Sequence, residues 1–163
     1  MQKSKPKAKA KLDERIPSLV VDVRGADPKL LEALIPALQE MVAHTQVLGG
    51  LKIKAKGLSN AFSTEEAMEE AHLWLILGDK LPSDFLMLVE RGIVPVMRSG
   101  LHEEAESYSP VLESGNSFLF DKLNEWHVHA AMIRALENYK FPYDWQNLKN
   151  NVKNFTKQTV RLK

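Results

Sequence analysis

The chain has no cysteine. That absence excludes a disulfide framework, thiol catalysis and any cysteine-ligated zinc or iron–sulfur site. An intracellular, cytoplasmic location is the simple expectation from it. Long apolar runs are missing as well: Ala71–Gly78 is the longest charge-free apolar stretch of note. It falls far short of the roughly 20 residues a membrane-spanning helix needs, so no transmembrane segment is expected. Met1-Gln2-Lys3-Ser4-Lys5-Pro6 is basic but leads into no apolar core, which does not fit a secretory signal. The common chemical signatures are absent too: no GxGxxG, no P-loop, no HExxH, no GxSxG and no internal repeat.

What remains is the composition of an ordinary globular domain: 163 residues, 44% hydrophobic and 26% charged. That length suits one domain. The net charge of +1 hides a division along the chain. Residues 1–15 carry six basic and two acidic groups, and residues 149–163 carry five basic and no acidic groups. Residues 16–148 hold the remaining 11 basic and 19 acidic groups, so an acidic body has two basic ends. Such ends suit weak contact with an anionic surface, or simply solubilise the termini. Residues 1–15 are expected to be a disordered basic tail, residues 16–158 the folded domain, and residues 159–163 a short basic tail.

From residue 18 the pattern alternates. Leu19-Val20-Val21-Asp22-Val23 reads as a buried strand closed by Arg24-Gly25. Asp27 then Pro28 opens a helix, with a side-chain acceptor at the cap and a proline in the first turn. Leu30, Leu31, Leu34, Ile35, Leu38, Met41 and Val42 follow at helical spacing, with Pro36 expected to kink the helix. Leu51-Lys52-Ile53-Lys54-Ala55-Lys56 alternates with period two, which predicts an edge strand closed by Gly57. Ser63 and Glu66 form a capping box for a short helix. Leu73–Leu77 predicts a central parallel strand. Pro82-Ser83-Asp84 starts another helix, and Ile93–Met97 predicts a strand whose Pro95 belongs at an edge or strand end. Residues 99–116 are expected to be partly helical, and Ser117–Phe120 a fifth strand. Asn124 caps a helix to about Tyr139, and a last helix runs from Trp145 to Phe155.

Strands alternating with helices predict an α/β fold: one doubly wound, mostly parallel, five-stranded Rossmann-like sheet with helices on both faces. Ligands of such sheets bind outside the carboxyl ends of the strands. Those ends are Arg24-Gly25-Ala26, Gly57-Leu58-Ser59, Gly78-Asp79-Lys80 and Arg98-Ser99-Gly100, and any site is expected on these loops. No metal or cofactor is expected. His127 and His129 are two apart on a helix and diverge, while His102 and Glu106 fit a solvated face better than a chelate.

The order of these features resembles the carboxyl-terminal, nucleotide-sugar-binding half of GT-B glycosyltransferases. The matching elements are Val20–Gly25, Leu51–Gly57, Ala71-His72 with Leu73–Leu77, and Pro82-Ser83. Gly92-Ile93-Val94-Pro95-Val96, Gly115–Phe120 and Tyr143-Asp144-Trp145 complete the series. The resemblance implies a nucleotide-sugar ligand held by Arg24, Gly25, Gly57, Pro82, Ser83, Glu90, Ser99 and Gly100. In it, Arg24 would meet the diphosphate and Glu90 the ribose or sugar. The chain departs from the family where a spaced pair of acids precedes G-x-P-V. Glu90 alone lies near the second acid, out of register, and Lys80-Leu81 occupy the region of the first. The family's amino-terminal acceptor domain has no counterpart in this sequence. Transfer is therefore expected to be impaired, or to depend on a protein partner that supplies an acceptor domain.

Two other readings fit parts of the pattern. A receiver-like signalling domain would use Asp22, Asp79, Ser99 and Lys122, although Val23 stands where a second acid is needed to hold Mg²⁺. A non-catalytic binding or scaffold module would keep the fold without the site.

Overall fold

The computed structural model describes residues 13–50 and 53–161, the last seven as helical backbone only. The strands are β1 (Ser18–Asp22), β2 (His44–Leu48), β3 (Leu58–Asn60), β4 (Leu73–Ile76), β5 (Val94–Arg98) and β6 (Phe118–Phe120). The helices are α1 (Pro28–Glu40), α2 (Thr64–Glu70), α3 (Phe85–Glu90), α4 (Glu125–Tyr139) and α5 (Pro142–Arg161). All strand pairs are parallel, in the order β3-β2-β1-β4-β5-β6. The expected doubly wound parallel sheet is therefore present, with six strands rather than five. No helix among the described residues is long and apolar enough to cross a membrane.

The strand count differs because of the segment after α1. Of the predicted strand at Leu51–Lys56, residues 53–56 form no strand, and residues 51–52 lie outside the described ones. Its place is taken by β2, whose polar His44-Thr45-Gln46 gives no β-branched run to read, and by the three-residue β3. Residues 99–116 contain no helix. They are held by isolated bridges, Ser107 to Ser117 and Ser109 to Ser114, and by the Asn116 amide bonding backbone on either side. At the carboxyl end, α5 continues past residue 158, where a tail was expected. The expected amino-terminal tail falls, for residues 1–12, outside the described residues.

Other local expectations hold. Asp27, Ser63 and Asn124 cap α1, α2 and α4, accepting from the backbone N–H groups of Lys29, Glu66 and His127 at 2.9, 3.2 and 3.0 Å. α1 runs through Pro36 and buries Leu31, Leu34 and Leu38, each contributing about 2 kcal/mol by area removed from water. β4 is buried at every position between β1 and β5. Pro95 sits where β5 has a neighbour on one side only, because β6 begins to pair at Val96.

Chain direction fixes the faces. β1 leads through α1 to one side of the sheet and β4 through α3 to the other, so right-handed crossovers put the two helices on opposite faces. α4 packs beside α1, and α5 beside α3. The direction of winding reverses between β1 and β4, and that is where a doubly wound sheet opens a crevice at its carboxyl edge.

Candidate functional site

At the carboxyl end of β1 the chain turns sharply, and Gly25 has a φ of 70° with open space where a side chain would stand. The neighbouring strand ends are pressed close. A Cβ on Gly78, just past β4, would lie 2.6 Å from the Arg24 carbonyl oxygen. One on Gly49, just past β2, would lie 2.7 Å from Val23 Cγ2. Glycine at these two positions is what lets the loops after β2, β1 and β4 sit side by side.

Below this rim lies an ion cluster. Asp22, the last residue of β1, is 2% exposed. Arg24 donates to it twice, from Nε at 2.9 Å and Nη2 at 2.7 Å. Its two terminal nitrogens also reach Asp84, Nη2 at 3.0 Å and Nη1 at 3.1 Å, and Nη1 lies 3.4 Å from Thr64 Oγ1. The Trp74 indole donates to Asp22 Oδ2 at 3.0 Å from within the core. Asp22 most of all, and Asp84 after it, holds the Arg24 guanidinium even more firmly protonated than usual. Asp84 stands at the N-cap position of α3 yet caps nothing with its side chain, since its carboxylate is turned to Arg24.

Of the residues singled out in the sequence, the fold brings six to the carboxyl edge. Arg24 and Gly25 follow β1, Pro82 and Ser83 precede α3, and Ser99 and Gly100 follow β5. Arg98 Nη2 approaches the Asp79 carbonyl at 3.5 Å, and Ser99 donates its hydroxyl to Asp121 at 3.0 Å. Gly57 and Glu90 are elsewhere. Gly57 precedes β3 rather than ending a strand, so it lies at the amino edge beside Ser18 and His44. Glu90 ends α3, which runs antiparallel to the strands and carries it to the amino edge, exposed. The sequence reading missed Asp84 and Thr64, both distant in the chain from the arginine they hold. The Pro82-Ser83-Asp84 helix start is read as capping, and nothing local distinguishes a carboxylate that caps from one that pairs at long range.

Asp22 is committed to Arg24 and Trp74, and among the described residues no three His, Asp or Glu side chains form a metal-holding group. His102 lies outside any helix, with its Nδ1 accepting from the Glu104 N–H at 3.1 Å.

Comparison with known proteins agrees with this architecture. No family model matches the chain. Glycogen synthase 1 of Synechocystis sp. is 35% identical over 65 residues, covering 39% of this chain and 14% of that protein. Glycogen synthase of Desulfitobacterium hafniense is 25% identical over 169 residues, covering 85% of this chain and 35% of that protein. Among solved structures, the catalytic domain of starch synthase IV from Arabidopsis thaliana, bound to ADP and acarbose, superposes with a TM-score of 0.69 at 15% identity. It covers 96% of this chain and 39% of that one. The calicheamicin glycosyltransferase CalG4 gives a TM-score of 0.52 at 15% identity, over 91% of this chain and 44% of that one. The chain thus spans 14% to 35% of the length of these two glycogen synthases. It is a glycosyltransferase-like domain that resembles the carboxyl-terminal half of GT-B enzymes.

Proposed function

We propose that the domain binds a nucleotide-sugar in the crevice between the carboxyl ends of β1 and β4, and that transfer depends on an acceptor-binding partner. One observation carries the reading: the loops after β1, β4 and β5 meet at the point where the winding reverses, with glycine backbone lining the approach. In this reading Gly25, Pro82, Ser83, Ser99 and Gly100, all in loops at the carboxyl edge, are the residues that would line the crevice. Arg24 ties its two walls together through Asp22 and Asp84. Supporting the ligand class, the starch synthase of the same fold holds ADP.

Transfer needs donor and acceptor fixed together with water excluded. The donor side alone provides one half of that arrangement, so the isolated domain binds without turning over.

Isothermal titration calorimetry with ADP, UDP and GDP tests the reading. Saturable binding of one nucleotide is expected, with no sugar nucleotide consumed by the domain alone. Absence of binding to all three, and to their sugar conjugates, would overturn it.

A further inference from the structure

We infer that Arg98 is the cation that meets the diphosphate of the bound nucleotide, and that Arg24 is a structural clamp with no donor to spare. The inference rests on the nucleotide-binding reading and names the residue within it.

A guanidinium has five N–H donors. Arg24 has an acceptor for each: two on Asp22, two on Asp84 and the Thr64 hydroxyl. Two carboxylates more than balance its charge. An incoming phosphate would have to break charge-assisted bonds of 2.7 to 3.1 Å and would face two carboxylates at once.

Arg98 is in the opposite condition. It ends β5 and forms no salt bridge among the described residues. Among the described residues its Nε, shielded from solvent, has no hydrogen-bond partner, and its Nη2 has only the long contact to the Asp79 carbonyl. A shielded guanidinium donor without a protein acceptor is uncommon and leaves hydrogen-bonding capacity unspent.

Its position also suits an anion. Strand register sorts the side chains: Asp22, Trp74 and Pro95 are linked through β1, β4 and β5 and share one face. Val96 and Arg98 alternate onto the other face, which bears α1 and α4. Arg98 therefore stands on the same side of the sheet as α1. The clamp lies on the opposite side. Gly100, with a φ of 89° and open space at its Cβ position, leaves the loop beside Arg98 unobstructed. A diphosphate entering over Gly25 would find one guanidinium with free donors, and that is Arg98.

The test compares wild type, Arg98→Ala, Arg98→Lys and Arg24→Ala by calorimetry with ADP, inorganic pyrophosphate and adenosine, alongside thermal melting. Arg98→Ala is expected to lose roughly tenfold or more in ADP and pyrophosphate affinity, with adenosine affinity and melting temperature unchanged. Arg98→Lys should recover part of the loss, as a point charge without the fork. Arg24→Ala should show itself first as a lower melting temperature. Full ADP affinity in Arg98→Ala, with wild type binding normally, would overturn this inference and leave the site reading standing. An equal loss of adenosine affinity would also overturn it, by showing a structural role. Failure of wild type to bind any of the three would overturn both.

Discussion

Trp74 donates its indole N–H to Asp22 Oδ2 at 3.0 Å, so a residue of the central strand orients the carboxylate that grips Arg24 from above. The core thereby sets the geometry of the site's rim. Asp22 is almost wholly buried, and Arg24 is the cation that makes its burial tolerable.

Removing that cation should be costly. Arg24→Ala is expected to lower stability by about 2–3 kcal/mol, less than for a wholly buried pair because water reaches the guanidinium. Urea denaturation measures it. An Arg24→Ala, Asp22→Asn double variant should recover part of the loss, because the uncompensated charge goes with the second change.

Gly78→Ala should disturb the site through the backbone. The added methyl would sit 2.6 Å from the Arg24 carbonyl, which belongs to main chain and cannot swing aside. A loss of about 1–3 kcal/mol is expected, together with weaker nucleotide binding because the two loops must separate. Gly100→Ala meets no neighbouring atom, and its cost should come only from the positive φ.

His72, at the amino edge, gives a pH dependence of known sign. Its Nδ1 accepts the Ser18 backbone N–H at 2.9 Å, which requires the unprotonated nitrogen. Burial, with Lys149 adding repulsion, pushes its pKa below the ordinary histidine value. The unfolded chain therefore binds a proton at a pH where the native chain does not. The His72 contribution is complete above about pH 6.5 and is lost as the pH falls through the native pKa. His72→Asn, which cannot ionise, should flatten this part of the curve when urea stability is measured between about pH 7 and pH 5.

Much of the fold was legible because three strands are plain apolar runs. Leu19–Val23, Leu73–Leu77 and Ile93–Met97 became β1, β4 and β5, and the caps at Asp27, Ser63 and Asn124 formed as read. The reading failed where the pattern was borrowed by something else. Met41 and Val42 continue the α1 periodicity after the helix has ended at Glu40. The alternating lysines of residues 52–56 imitate an edge strand, whereas β2 is a polar stretch made a strand by pairing with β1. Which loops reach the carboxyl edge was half legible on the same grounds. A loop after a strand can be found from its glycine, but Gly57 and Glu90 were placed by the wrong strand and by helix direction. The Arg24–Asp84 contact spans 60 residues and depends on the fold alone.

Glu90→Ala follows from that correction. Glu90 is exposed at the amino edge, at the far end of α3 from the Arg24 cluster. Nucleotide affinity measured by calorimetry should match wild type, and stability should stay within about 0.5 kcal/mol of it.

The most direct measurement is an amide NMR titration of the domain with ADP, read residue by residue. Shifts concentrated at Arg24–Ala26, Gly78–Ser83 and Arg98–Leu101, with the amino-edge residues His44, Gly57 and Glu90 silent, are the predicted result. Shifts confined to the amino edge, or none at saturating ADP, UDP and GDP, would contradict nucleotide binding at the β1–β4 crevice.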